Sequence, residues 1–128
     1  MINFKQQLTK NFKLGEFFLL GTADWKPEYL ENIKKLCAIL QDVCDHFDDH
    51  CIITDGYRPV SVKVKGGAKF SQHLTASAVD FHLQKTDIRK VYNYLNEKYG
   101  NNGLAMSILS NFIHFDIRGT KARWAYNY

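Results

Sequence analysis

Two stretches of this chain alternate apolar and polar residues with a period of two, and both place carboxylate and imidazole on the polar side. In Val79-Asp80-Phe81-His82-Leu83 the polar face holds Asp80 and His82, and in Phe112 to Arg118 it holds His114, Asp116 and Arg118. A strand of this kind buries one face and leaves the other open, so the pair constrains the fold to a sheet with a core side and a polar side. Just upstream, Ser71 to Asp80 adds His73, seven positions before Asp80. Any one of these residues alone is an ordinary polar side chain. Two imidazoles and one carboxylate together make an open zinc set, with three protein ligands and a fourth position left to water.

The other elements follow from local pattern. From Pro27 to about Phe47, the residues Leu30, Ile33, Leu36, Cys37, Leu40, Val43, Cys44 and Phe47 recur at helical spacing and predict the main core helix, with Pro27 in its first turn. Residues 1–23 read as an irregular lead-in with one helical turn, its aromatics packed on the body. Cys51 to Thr54 is a short β-prone run ending in the turn signal Asp55-Gly56-Tyr57-Arg58-Pro59. Val60 to Phe70 reads as a loop. Thr86 is expected to cap a helix from Asp87 to Tyr99 that Gly100 closes. Gly103 to Leu109 and Phe112 to Arg118 are expected as a hairpin around Ser110-Asn111. The chain is thus expected to be one α+β domain, residues 1–128, with helices packed on a mostly antiparallel sheet.

Bulk properties exclude some functions. At 128 residues, the chain is long enough for one core and not for two. The formal charge of +4 is modest, and Lys63, Lys65 and Lys69 are too few for a nucleic-acid stripe, so no nucleic acid is expected as a partner. No apolar run approaches the roughly 20 residues that span a bilayer. The start, Met1 to Lys5, lacks the pattern of a secretory signal, which predicts a protein that is cytoplasmic when made, or one exported or released to the cell wall by a route the chain does not encode. Cys37, Cys44 and Cys51 contain no C-x-x-C pair and read as buried small hydrophobes. His46 and His50 are four apart, but nothing supplies a third ligand beside them.

With these residues in place, the chain resembles the metallopeptidase family of zinc D-Ala-D-Ala carboxypeptidases, dipeptidases and phage L-alanyl-D-glutamate endolysins, whose fold is shared with hedgehog domains. Ser71, His73, Ala78 and Asp80 match its S-x-H-x-x-G-x-A-x-D motif. Phe112-Ile113-His114-Phe115-Asp116 with Arg123-Trp124 resembles its F-x-H-x-D and R-W endings. Gly56-Tyr57-Arg58 matches S-G-Y-R, and Asn11-Phe12-Lys13-Leu14-Gly15-Glu16-Phe17 matches an early N-F-x-L-x-E-F segment. The resemblance implies Zn2+ as cofactor, His73, Asp80 and His114 as its ligands, and Arg58 beside the metal, holding a substrate carboxylate or the oxyanion of the attacked carbonyl. Three positions depart from the pattern. Ala76 stands where the family has glycine, Asp55 stands where it has serine, and Asn111 stands where many members place the acidic general base.

Hydrolysis of an amide at such a site needs a carboxylate to take a proton from water. With Asn111 unable to do so, Asp116 is one candidate, and its other reading is a hydrogen-bond partner of a zinc-bound imidazole or of Arg58. Ser71 is expected to orient the loop around His73. His82 reads as a transition-state donor or as a polar strand residue, and Trp124 as a wall of the cleft or a core anchor. Two functions remain open. One is a phage-encoded peptidoglycan peptidase, acting as a monomer on stem or cross-link peptides. The other is a zinc-containing module of the same fold that binds cell-wall peptide or a protein without turnover.

Overall fold

The computed structural model describes residues 2–62 and 71–128. Residues 63–70, which hold most of the expected Val60–Phe70 loop and all three lysines named above, lie outside the described residues. The lead-in is more regular than its sequence suggests. Strands β1 (Gln7–Thr9) and β2 (Phe12–Lys13) pair as a small hairpin, followed by a 3-10 turn over Leu14–Phe17. The Gln41 side chain holds this hairpin. Its Oε1 accepts from the Thr9 hydroxyl and the Asn11 N–H, each at 2.8 Å, and its Nε2 donates to Asn11 Oδ1 at 2.6 Å.

Helix α1 runs Leu30–Phe47 behind a 3-10 turn at Pro27–Tyr29, and its stripe of Ile33, Leu36, Cys37, Leu40, Val43 and Cys44 is buried. It ends at Asp48, whose φ of 47° lies in the left-handed region that a short polar side chain tolerates. Helix α2 spans Ile88–Lys98, and its cap is Asp87 rather than Thr86: Asp87 Oδ1 accepts from Arg89 N–H at 2.9 Å. Thr86 is engaged elsewhere, since its hydroxyl and N–H both donate to Asp49 Oδ2. Gly100 does not close the helix in a left-handed conformation, because Tyr99 is the terminal cap and Gly100 has no positive φ. It is glycine for space, since a Cβ there would strike the Asn96 carbonyl oxygen.

The main sheet has the order β3-β4-β6-β5-β7 and comprises β3 (Cys51–Asp55), β4 (Ala78–Leu83), β5 (Gly103–Ser107), β6 (Phe112–Asp116) and β7 (Ala122–Ala125). All neighbours are antiparallel except β5 and β7, which run parallel. The hairpin strands are shorter than expected. Ser107 Oγ takes the Ser110 N–H to start the turn, Asn111 turns it with a φ of 54°, and Ile117 N–H leaves the ladder for Ser77 O. Strand β7 is an addition to the expected elements. Arg123 fastens it to the end of α2, donating to Asn96 Oδ1, Asn102 O and Gly100 O.

Val79, Phe81, Leu83, Leu104, Ile113 and Phe115 point from the sheet into the same core as the buried faces of α1 and α2. By alternation, Asp80 and His114 then stand on the other side. The hydrophobic layer thus serves as the foundation for the polar face.

Candidate metal centre

Asp80 on β4 and His114 on β6 are directly opposite in the antiparallel ladder. His73 comes from the 3-10 turn Gln72–Thr75 that leads into β4. Ser71 caps this turn, with its Oγ accepting the His73 N–H at 3.2 Å. The turn ends at Ala76, whose φ of 58° is left-handed although the residue carries a Cβ and is almost fully buried.

The three side chains converge. His73 Nε2 lies 3.2 Å and His114 Nδ1 3.0 Å from the same Asp80 oxygen. One potential donor atom from each residue falls within 4.8 Å of the others, and this is the one such group among the described residues. Ligand atoms held about 2.0–2.1 Å from a common zinc at tetrahedral angles sit roughly 3.3 Å apart, close to the two separations from Asp80. The chemistry of the donor set, two imidazoles and a carboxylate, fits a zinc ion.

Each imidazole is also held from behind. His73 Nδ1 donates to the Gly56 carbonyl at 2.8 Å, so Nε2, which faces Asp80, is the nitrogen available to a metal once it gives up its proton. His114 Nε2 donates to Asp116 Oδ2 at 2.7 Å, which leaves Nδ1 towards Asp80. Gly56 in turn rests on the lead-in. A Cβ on it would press into the Phe17 backbone, and the adjoining Tyr57 N–H donates to Phe17 O at 2.8 Å. Tyr57 is buried among Phe18, Trp25 and Tyr29, with its hydroxyl on Ala23 O.

Asp116 is fully buried and fully engaged. Besides His114, it accepts from the Gly103 N–H, the Arg118 N–H and two guanidinium nitrogens of Arg118 at 2.8 and 2.7 Å. Gly103 makes room for it, since a Cβ there would collide with the carboxylate. Burial works against its ionisation, but Arg118 and His114 prevail and hold its pKa well below the ordinary carboxylate value. Of the two readings of Asp116, proton acceptor or partner of an imidazole, this position supports the second. It lies behind His114, on the side away from the atom that faces Asp80.

Asp80 is likewise pulled down against the effect of burial, to about 2, by hydrogen bonds from His114 and His73. Burial tends to lower the His114 pKa, but Asp116 and Asp80 outweigh it and leave it raised.

Asp55 borders the same cluster because β3 is irregular. Ile53 pairs with Phe81 and Asp55 with Asp80, so two steps on β3 answer one on β4. This bulge turns Asp55 from the core face to the side of Asp80. Its Oδ2 is 3.8 Å from His73 Nδ1, and its Oδ1 is buried without a hydrogen-bond partner among the described residues. Its pKa is raised, chiefly by burial and further by Asp80, with His73 and Arg58 opposing. No pattern in the sequence announces the bulge, and the aspartate in place of serine was the one signal that pointed to this position.

Arg58 is buried beside this group, and its N–H donates to His73 O at 3.0 Å. Its charge also acts on Asp55 and Tyr128. The Trp124 ring lies 4.9 Å from the His114 ring and 5.1 Å from the Arg118 guanidinium, and it is 36% exposed, so it flanks the centre at the surface. His82 stands one step further along the polar face of β4, outside the three-residue group, with a buried Nδ1 that has no hydrogen-bond partner among the described residues. Asn111 lies away from the centre and lines a surface hollow with Leu83, Thr86, Ile88 and Ile108. Among the described residues His46 is not brought to a metal-binding group, and its ring stacks on Tyr94 at 3.9 Å.

Compared with known proteins, the chain matches the family described as Peptidase M15 over residues 10–116. No curated protein and no solved structure matches it. Because the family match runs from the turn of the lead-in hairpin to the last residue of β6, it takes in every element that supplies a donor atom, and the chain belongs to the peptidase M15 family.

Proposed function

We propose that this protein is a zinc-dependent peptidase that hydrolyses stem or cross-link peptides of peptidoglycan. The observation that carries the metal reading is the convergence of His73, Asp80 and His114, with each imidazole oriented by its own partner, Gly56 O or Asp116. Family membership supports peptide hydrolysis, and the wall-peptide substrate is the finer reading that the motif resemblance adds. Zinc in this set supplies a coordinated water with its pKa lowered towards ~7 and a Lewis acid for the peptide carbonyl.

The chain's own residues then have distinct tasks. Gly56 O and Asp116 fix the tautomer and the aim of the two imidazoles. Arg58 offers a positive charge for a substrate carboxylate or for charge developing on the carbonyl oxygen. Trp124 provides a flat wall beside His114 against which a substrate packs. Asp55, beside His73 Nδ1 and with an Oδ1 that has no hydrogen-bond partner among the described residues, is the remaining carboxylate at the centre to be tested as proton acceptor.

One alternative is favoured by a specific observation. Asn111 faces away from the centre and Asp116 is held behind His114, which suits a domain that keeps its metal and binds wall peptide without cutting it. Metal analysis and a wall-digestion assay separate the two. About one zinc per chain that is lost in His73→Ala, with chelator-sensitive release of new amino termini from purified wall, supports the peptidase. Bound zinc without release from several wall types supports the binding module. Full zinc retention in His73→Ala overturns the ligand set.

A further inference from the structure

The last turn of α1 and the first residue of β3 bring two thiols together at the opposite end of β3 from Asp55. Cys44 Sγ and Cys51 Sγ are 3.0 Å apart, and both side chains are buried. Cys37 is separate from this pair, with its sulfur against the Thr9 hydroxyl. A disulfide bond is about 2.05 Å long, so bonding asks each sulfur of the pair to move by roughly 0.5 Å.

We propose that Cys44 and Cys51 form an intramolecular disulfide when the protein meets a small-molecule disulfide oxidant. In the first step, one cysteine loses its proton and its thiolate attacks a sulfur of the oxidant. A mixed disulfide forms, and one small thiolate leaves. In the second step, the other cysteine, as thiolate, attacks the protein sulfur of the mixed disulfide and expels the second small thiolate. Two protons leave the protein, its two sulfurs give up two electrons, and the oxidant is reduced to two thiols.

The order of attack follows from the surroundings. Cys44, in the last turn of the helix, is the first nucleophile, in keeping with the contact with Cys51 that favours its thiolate, while the same contact and burial oppose ionisation of Cys51. Access comes from the helix end. Residues 45–50 are mostly exposed, so fraying of the last helical turn brings solvent to Cys44. The cross-link ties α1 to the strand whose far end carries Asp55, next to the Gly56 carbonyl that holds His73.

The test uses the full-length folded chain incubated with oxidised glutathione, followed by alkylation in denaturant, digestion and mass spectrometry. The expected result is a linked Cys44–Cys51 peptide lighter by two hydrogens, with Cys37 alkylated. A thermal midpoint higher by several degrees, restored to its starting value by a reductant, is also expected. Cys37→Ser keeps the cross-link and the shift, whereas Cys44→Ser loses both. Three outcomes overturn the proposal: both thiols still alkylated after oxidation, a link that uses Cys37 or a second chain, or a cross-linked protein that melts lower than the reduced one. Since Cys37→Ser leaves the pair intact, the test stands even if Cys44→Ser fails to fold.

Discussion

His114 Nε2 lies 2.7 Å from Asp116 Oδ2, on the far side of the imidazole from the nitrogen that faces Asp80. A carboxylate in this place fixes the ring and raises the basicity of the nitrogen offered to a metal. Asp116→Asn is therefore expected to weaken zinc binding by about 10- to 100-fold, with lost activity largely restored by added zinc. Titration against a competing chelator measures the affinity. Unchanged zinc affinity with no cleavage would instead return Asp116 to the role of proton acceptor.

Asp55 also borders the cluster, beside His73 Nδ1, but one of its oxygens has no hydrogen-bond partner among the described residues. If it takes the proton, Asp55→Asn lowers kcat by about 100-fold or more while zinc content and KM stay near their starting values. Asp55→Ser, which restores the family's residue, separates proton transfer from simple polarity. Full activity in that variant would show that another group moves the proton.

The pH response of the metal centre has a definite sign. In the metal-free protein the His114 pKa is raised, so protonation contributes stability below the unfolded imidazole value and this is lost as pH rises through the folded one. A metal needs the same nitrogen free of its proton and so binds better as pH rises. Asp80, at about 2, stays ionised throughout and adds no slope near neutrality. The gap in melting temperature between zinc-loaded and chelated protein is thus expected to widen from about pH 5.5 to about pH 8. A gap that narrows over that interval contradicts the assignment of His114.

Ala76 holds a left-handed φ of 58°. An L-residue there costs about 1–2 kcal/mol, and its buried methyl returns roughly 0.8 kcal/mol. Ala76→Gly relieves the strain but loses the methyl and frees the unfolded chain, so the net change in unfolding free energy is expected to stay within about 1 kcal/mol. Urea denaturation measures it. A much larger loss would mean that the methyl packs more tightly than burial alone implies.

What could be read from sequence was whatever rests on local periodicity. Helix α1 and strands β4 and β6 each repeat with the period of their own element, which put Asp80 and His114 on polar strand faces, whereas His73 lies on a turn and was marked out by the family-like motif from Ser71 to Asp80. The rest depended on distant partners. The lead-in hairpin is held by Gln41, Thr86 is drawn from the cap position by Asp49, and β7 is anchored by Arg123 to the end of α2. Alternation assigned Asp116 to the correct strand face, but it could not say which side of His114 the carboxylate would occupy. The bulge that turns Asp55 towards Asp80 breaks the very periodicity that sequence reading relies on.

On the polar face, β5 carries only Gly103, Ala105 and Ser107. Ala105 sits between His114 and Trp124 in the ladder, short enough for the indole to reach over it to the imidazole. The outermost strand thus shields a residue two strands away, and it is held by its ladder with β5 and by Arg123. Peeling β7 off would bare one flank of the metal centre to water while leaving all three donor residues in place, so the dryness of the site can vary independently of its coordination.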